Sequence, residues 1–371
     1  MKTSTLRRAV VPSVAAIALV GALAACGDNN GGASGTASGA AGGSLSGKLA
    51  AGGSSAQGSA QQAWMAAFQQ ANSGVTITYD PVGSGAGRTS FESGAYPFAG
   101  TDAFIANPSD EYTKATNQCG GADPVEVPDY IDPIAVVFNL QGVDSLKLDA
   151  STIAQIFAGK ITTWDDPAIA RQNSGVKLPA TAIHTVHRSD DSGTTQNFVD
   201  YLSKAGNGAW TSPVSQTWPS SDGLSGQGTS GVVTAIKGGE GTIGYVDASQ
   251  AGGLGVVSIK VGDSYNAPTA DGAAAVVATS DLDESATDTQ LIYDINRTDT
   301  GQGAYPLLLV SYLVACPTYS DANTADLVKG YLSYIVSSQG QQAGASAAGS
   351  APLTDDVSQK ATDILSKITA K

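Results

Sequence analysis

The sequence predicts an α/β fold, and three observations carry that prediction. From residue 48 onward, short apolar runs alternate with helical stretches and glycine-rich turns, as in a chain whose strands are wound with helices. Of the 371 residues, 42% are hydrophobic and 14% charged, which supports two full cores and rules out disorder throughout. No proline-rich linker cuts the chain, so a second domain must be an insertion with two crossovers, an arrangement that produces hinged clefts.

The clearest strands are 75–79 (VTITY), 134–140 (IAVVFNL), 183–187 (IHTVH), 242–246 (TIGYV) and 307–314 (LLLVSYLV). Between them, 57–71 puts Ala60, Ala63, Trp64, Ala67 and Phe68 on one face at helical spacing. Segments 151–159 and 194–205 read as further helices, the second with Phe198, Tyr201 and Leu202 on its apolar side. The stretch 355–368 reads as a last amphipathic helix.

The first 46 residues have a different character. Lys2, Arg7 and Arg8 precede an apolar stretch over 9–25, shorter than the roughly 20 residues of a spanning helix and matching a secretory signal. It ends Leu23, Ala24, Ala25, Cys26, the pattern of a bacterial lipobox, in which Cys26 becomes the lipidated first residue. Residues 27–46 are almost all small and polar, a flexible tether spanning roughly 25 Å. The expected organisation is a signal peptide over 1–25 and a lipidated cysteine with its tether over 26–46, leaving the protein exported and lipid-anchored on the outer face of the cell membrane.

The formal charge is −14, and −17 once the three cations ahead of residue 26 are removed. No basic run lies outside the N-terminus, which argues against a nucleic-acid partner. Two histidines and three cysteines are too few and too badly spaced for a four-ligand zinc site. With Cys26 carrying lipid, Cys119 and Cys316 are an even pair in an oxidising compartment and read as a disulfide, the alternative being two unlinked buried thiols.

Four segments carry candidate chemistry. Gly52-Gly53-Ser54-Ser55-Ala56 leads from a strand into the helix of Trp64, where unpaired N–H groups favour an anion, although serine there is also an ordinary cap. Val82-Gly83-Ser84-Gly85-Ala86-Gly87 repeats that layout; Val82 and Ala86 stand where a hydrolase nucleophile elbow needs glycine. Gly100-Thr101-Asp102 ends an apolar segment, and its lone aspartate suits a cap or solvated turn equally well. The densest segment is His187 to Thr195. There Arg188 closes a strand, Asp190 can hold its guanidinium, and Ser192, Gly193 and Thr194 open a helix, so their donors can converge on one tetrahedral oxyanion.

Three decoys lie nearby. Asp191-Ser192-Gly193-Thr194 and Asp299-Thr300-Gly301 imitate the aspartic-protease triplet but follow polar residues rather than buried strands. His184 and His187, three apart on a strand, face opposite sides and cannot readily share a metal. Asp165 and Asp166 read as a charged helix start.

Taken in order, GGSSAQGSAQQAW, VGSGAG, FAGTDAF, IDPIAVVFNL, IFAGKITTWDDPAI, HRSDDSGTTQNF, GTIGYV and GAYPLLL resemble the phosphate-binding lipoproteins that feed the high-affinity ABC phosphate importer. The resemblance spans most of the chain from Ser54 onward. It implies a two-lobe periplasmic-binding-protein (flytrap) fold with mixed sheets, flanking helices and a two-strand hinge, one lobe from 47–133 plus 305–371 and the other from 134–304. Cys119 and Cys316 then share a lobe. Carried over residue by residue, the resemblance implies a phosphate site of Ser55, Ala56, Ser84, Asp102, Arg188, Ser192, Gly193 and Thr194, with Asp190 supporting. Ala56 departs from the aromatic residue many relatives carry. Whether Arg88, one turn past Ser84, joins the site is open. The implied protein is a monomeric, non-catalytic binder of inorganic phosphate that needs no metal or cofactor and hands its ligand to a membrane permease.

Asp102 gives that reading a physical test. Phosphate near neutral pH keeps at least one P–OH proton and sulfate keeps none, while an ionised carboxylate only accepts, so Asp102 can admit phosphate and oppose sulfate. Two other readings remain at this level. A flytrap for sulfate or molybdate has no use for Asp102, and a secreted hydrolase needs a base beside Ser84 or Ser192, where no histidine stands. A surface adhesin or antigen is a further possibility for such a lipoprotein.

Overall fold

A computed structural model describes residues 45–299 and 301–371; the proposed signal peptide, Cys26 and the tether through residue 44 lie outside the described residues. The predicted α/β class is borne out. The N-terminal part comprises β1 (Ser46–Gly53), α1 (Gly58–Ala71), β2 (Gly74–Asp80), α2 (Ser84–Glu92), β3 (Phe98–Thr101) and α3 (Asp110–Gln118). Strand β4 (Val125–Asn139) follows, then β5 (Ser145–Leu148), α4 (Ala150–Phe157), α5 (Pro167–Ala170), β6 (His184–Arg188) and α6 (Gly193–Ala205). Next come β7 (Leu224–Gly226), α7 (Gly228–Gly238), β8 (Thr242–Asp247), β9 (Gly255–Val261), β10 (Ser264–Asn266) and α8 (Ala270–Val277). A small ribbon of β11 (Asp281–Leu282) and β12 (Tyr293–Asp294) precedes β13 (Leu308–Ala315), and the helices α9 (Ala322–Val336), α10 (Ser338–Ala348) and α11 (Asp355–Leu365) close the fold.

The main sheet runs β2-β1-β3-β13-β4-β8-β6-β7, with β9 also paired to β4, β5 and β10. Its two ends are parallel, β1 with β2 and β3, and β6 with β7 and β8, as expected where helices cross between strands. The centre is antiparallel, because β13 enters between β3 and β4. β4 changes partner midway: Val125 to Pro133 pair with β13, and Ile134 to Asn139 pair with β8. The chain returns beside this point, where the Ile134 N–H donates to the Leu307 carbonyl at 2.9 Å.

The sequence pattern marked only 134–140 of this strand. Its first half carries Pro128, Asp129, Asp132 and Pro133, residues that break an apolar pattern, yet every one is buried. A bulge accommodates them: Ser311 pairs with Tyr130 and Tyr312 with Pro128, so the ladder skips Asp129. All eight residues of β13 are buried, as befits a central strand covered on both faces. Trp64, predicted on the inner face of α1, is fully buried and its Nε1 donates to the Gly340 carbonyl of α10 at 2.7 Å.

Cys119, at the end of α3, is bonded to Cys316, just past β13, with Cα atoms 5.1 Å apart. The link closes a loop of almost two hundred residues, 197 in separation. Replacing both cysteines with serine lowers unfolding stability by about 2–5 kcal/mol, measured by denaturant titration of the oxidised parent and the double variant.

Candidate functional site

Three helix starts and two strand ends meet at one place. β1 ends in Gly53 and turns through Ser54, Ser55 and Ala56 into α1; β2 leads through Gly83 into α2; β3 ends at Thr101, directly before Asp102. From the other part of the sheet, β6 ends at Arg188 and leads through Asp190 to α6, whose cap is Ser192, its Oγ accepting from the Thr195 N–H at 3.2 Å. The first-turn N–H groups of each helix lack intrahelical acceptors and make these turns electropositive.

Asp102 sits at the junction and is 3% exposed. Its Oδ2 accepts from Ser54 Oγ at 2.7 Å and Thr194 Oγ1 at 3.2 Å, and its Oδ1 accepts from Ser311 Oγ at 2.8 Å. Its own N–H donates to Ser84 Oγ at 3.2 Å, and its carbonyl accepts from Asn197 Nδ2 at 2.7 Å. Burial raises its carboxyl above the ordinary range, opposed by the hydroxyls of Ser54 and Ser311, the charge of Arg188 and the hydroxyl of Thr194. A carboxylate with three donors on about four lone-pair positions keeps room for one further donor.

Arg188 is buried and bound in fork geometry by Asp190, Nε to Oδ1 at 2.8 Å and Nη2 to Oδ2 at 2.5 Å. Burial pushes the Asp190 carboxyl up, but the hydrogen bonds and charge of Arg188, with the Gly228 N–H at 2.9 Å, outweigh it and hold the group below its usual range. Behind Arg188, the Tyr245 hydroxyl meets Thr195 Oγ1 at 2.7 Å and accepts from the Arg188 N–H at 3.3 Å. His187 turns away and stacks on Trp218 at 5.1 Å, consistent with the opposite-face reading of that strand.

The two sides approach too closely for side chains at two positions. A Cβ on Gly193 would stand 2.7 Å from the backbone carbonyl carbon of Asp102, and one on Gly85 would stand 2.6 Å from the Cβ of Asp191. Further bonds cross the same gap: the Gly85 N–H donates to the Asp191 carbonyl at 3.1 Å, and Ser55 Oγ lies 3.2 Å from Thr229 Oγ1 while accepting the Thr229 N–H at 3.1 Å.

Thus Ser84, Asp102, Arg188, Asp190, Ser192, Gly193 and Thr194 are gathered together. Ser55 lies at the same turn but its hydroxyl serves Thr229, while Ser54, one residue earlier, contacts Asp102. Ala56 contributes backbone, its N–H donating to Ser54 Oγ at 3.1 Å. Arg88 is engaged elsewhere, with Thr101 at 2.8 Å, Glu111 at 3.1 Å and Gln216 at 2.7 Å, so it braces the strand end that carries Asp102. The sequence reading missed Ser54, Ser311, Asn197 and Thr229. For Ser311 a signal existed, a single hydroxyl inside the apolar run LLLVSYLV.

Three further carboxyls lie behind Asp102. Asp129 and Asp132 on β4 and Asp247 on β8 are buried, and both oxygens of Asp129, Oδ1 of Asp132 and Oδ2 of Asp247 have no protein partner. Burial pushes Asp129 and Asp132 well above the carboxylate range, and it pushes Asp247 up to about 6 against its hydrogen bond from Ser249. Among the described residues no group of three or more His, Cys, Asp or Glu is arranged to hold a metal ion. The arrangement suits a desolvated oxyanion: one guanidinium, hydroxyls, helix N-termini and a single acceptor.

The family model for the PBP superfamily domain matches residues 38–339. Phosphate-binding protein PstS 3 of Mycobacterium leprae is 34% identical over 300 residues, 78% of each chain, and Phosphate-binding protein PstS 2 of Mycobacterium tuberculosis is 33% identical over 296 residues, 79% of each. Among solved structures, a high affinity periplasmic phosphate-binding protein bound with phosphate at pH 8.5 aligns with a TM-score of 0.67 at 20% identity, covering 84% of this chain and 92% of that one. A phosphate-binding protein from Stenotrophomonas maltophilia aligns at 0.67 with 19% identity, covering 85% and 93%. At these identities the structural likeness speaks for the fold.

Asp247 binds its proton more tightly folded than unfolded, so its ionisation penalises the folded state as pH rises from about 4 through about 6. Asp247→Asn therefore raises unfolding stability by about 2–3 kcal/mol above pH 7 and leaves it unchanged below pH 4, checked by thermal unfolding across that range. An equal gain at every pH would show that ionisation is not the cause.

Proposed function

The chain belongs to the PBP superfamily and, within it, to the PstS-like substrate-binding proteins, and from that membership we propose that it captures inorganic phosphate outside the cytoplasmic membrane and delivers it to an ABC-type permease without chemical turnover. The observation that carries the reading is the buried Asp102 carboxylate set among donors: a site built only for negative charge has no use for an acceptor, and a site for a protonated anion needs one.

In this reading, the N–H groups of Ser55, Ser84, Gly193 and Thr194 and the hydroxyls of Ser84 and Ser192 donate to the phosphate oxygens, while Ala56, whose N–H is held by Ser54 Oγ, lines the turn. Arg188 supplies the positive charge, and Asp190 aims the guanidinium and keeps it from swinging out. Asp102 accepts the P–OH proton. Sulfate leaves that acceptor facing a bare oxygen, and an unpaired buried carboxylate costs more than the about 1–3 kcal/mol of a neutral group. The net charge of −14 does not decide the matter, because surface charge is screened within about 8 Å at physiological salt while the donors act at contact.

The lobes of this flytrap are 47–133 plus 305–371 and 134–304, a division supported by the change of partner along β4 between Pro133 and Ile134. The bonds of Thr194, Asn197, Gly85 and Thr229 across the gap then belong to closure. The protein works as a monomer held to the outer face of the membrane by lipid on Cys26, within reach of its permease; none of the helices among the described residues is long and apolar enough to cross a membrane itself.

Calorimetric titration of ligand-stripped protein at neutral pH tests the reading: one phosphate binds and sulfate gives no heat. Asp102→Asn narrows the gap between the two anions at least tenfold, since an amide can donate to sulfate. Silence toward phosphate with heat from another oxyanion would move the function to that anion, and an unchanged preference in Asp102→Asn would remove Asp102 from its role.

A further inference from the structure

Ser311 lies at the β4–β13 bulge, and its hydroxyl is the end of a buried chain of donors that all point one way. The Tyr331 hydroxyl donates to Gln61 Oε1 at 2.8 Å, Gln61 Nε2 to Gln57 Oε1 at 2.9 Å, Gln57 Nε2 to Ser311 Oγ at 2.8 Å, and Ser311 Oγ to Asp102 Oδ1 at 2.8 Å. Tyr331, Gln61, Gln57 and Ser311 are all 0% exposed. The direction of the chain is forced. Gln57 Nε2 also donates to the Tyr312 carbonyl at 3.1 Å, an atom that only accepts, so the amide cannot be reversed without setting two carbonyl oxygens against each other. Gln57 occupies one lone pair of the Ser311 hydroxyl, and the hydroxyl's single proton goes to Asp102 Oδ1 at 2.8 Å; the Thr101 carbonyl stands farther, at 3.5 Å, and the Asp129 carboxyl also faces this hydroxyl.

We propose that Ser311, oriented by Gln57 and Gln61, is a positioning residue that fixes Asp102 as a pure acceptor and thereby sets how acidic the medium must become before sulfate is admitted. The inference rests on the phosphate reading of the site. A hydroxyl held as a donor bonds the ionised carboxylate more strongly than the protonated one. Without it, Asp102 takes up a proton at higher pH, gains an O–H to donate, and no longer opposes an anion lacking protons. Ser54 and Thr194 do not substitute for Ser311, because both stand on Oδ2.

Asp102 is also faced by Arg188 from β6, by Asp129, Asp132 and Tyr130 from β4, by Asp247 from β8 and by Tyr79 from β2. All of these groups remain in a Ser311 variant, and Asp129, which the same hydroxyl faces, is the one whose surroundings also change.

The experiment measures the ratio of sulfate to phosphate affinity by competition from pH 4.5 to pH 8 in the parent, Ser311→Ala, Ser311→Thr and Gln61→Met. Ser311→Ala raises the ratio about tenfold at pH 5 and approaches the parent as the pH rises to 8. Ser311→Thr keeps the hydroxyl and follows the parent, and Gln61→Met, two links away and clear of the anion, moves the ratio in the same direction by less. A Ser311→Ala ratio equal to the parent at every pH, or displaced equally at every pH, overturns the inference while phosphate binding stands. Failure of the unaltered protein to bind phosphate overturns the functional reading itself and this inference with it. If Ser311→Ala does not fold, the Gln61→Met profile decides: the acid-side shift sustains the proposal and its absence ends it.

Discussion

Everything in this fold that bears on function depends on one buried carboxylate and the hydroxyls that surround it. Asp102 receives Ser54 from the turn between β1 and α1, Thr194 from α6 and Ser311 from the central strand, residues 48, 92 and 209 positions away in sequence. None of these contacts is local, so the carboxylate is stable in its buried place only when the whole sheet is assembled around it. A single buried charge without partners is among the most expensive objects a fold can contain. Here three hydroxyls and the nearby Arg188 offset that cost while one acceptor position stays free for a ligand.

The sheet topology explains how such distant segments arrive together. β13 runs antiparallel into the middle of the sheet, which puts Ser311 beside the end of β3, while β4 carries the chain from the β13 ladder to the β8 ladder. The bulge that skips Asp129 lies on that crossing strand. It leaves a second layer of carboxyls, Asp129, Asp132 and Asp247, behind the first without cationic partners, and burial raises their proton affinity, well above the carboxylate range for Asp129 and Asp132 and to about 6 for Asp247. Protonated, they add no charge opposing an anion; ionised, they would. Burial raises the proton affinity of Asp102 and of these neighbours alike, and Asp102 differs in the donors gathered on it, the hydroxyls of Ser54, Ser311 and Thr194, and in the nearby charge of Arg188.

Much of this was legible in the sequence, for identifiable reasons. Helix α1, strands β2, β6 and β8, and the core strand β13 announce themselves because their apolar residues keep one period and their ends carry turn residues. Arg188 and Asp190 could be paired by inspection, since two positions apart at a strand end they share a side. β4 was seen only in its second half, because Pro128, Asp129, Asp132 and Pro133 look like a loop until the bulge and the surrounding strands make room for them. Ser55 resembled the family's site residue, yet it is Ser54 whose hydroxyl reaches Asp102; a one-residue difference in a turn depends on backbone angles that no pattern encodes. Ser311 stood out as a hydroxyl in an apolar strand, but its partner lay two hundred positions away, and tertiary proximity of that kind is not written in periodicity.

The central claim is that the site recognises a proton on its ligand, and fluorophosphate tests it most directly. This anion has the tetrahedral shape and double charge of dibasic phosphate and lacks its proton. The account predicts that at neutral pH the unaltered protein binds fluorophosphate at least a hundredfold more weakly than phosphate, as a desolvated acceptor left without a donor requires. Equal affinity for the two anions would contradict it, because charge and shape alone would then suffice and the buried acceptor at Asp102 would have no part in recognition.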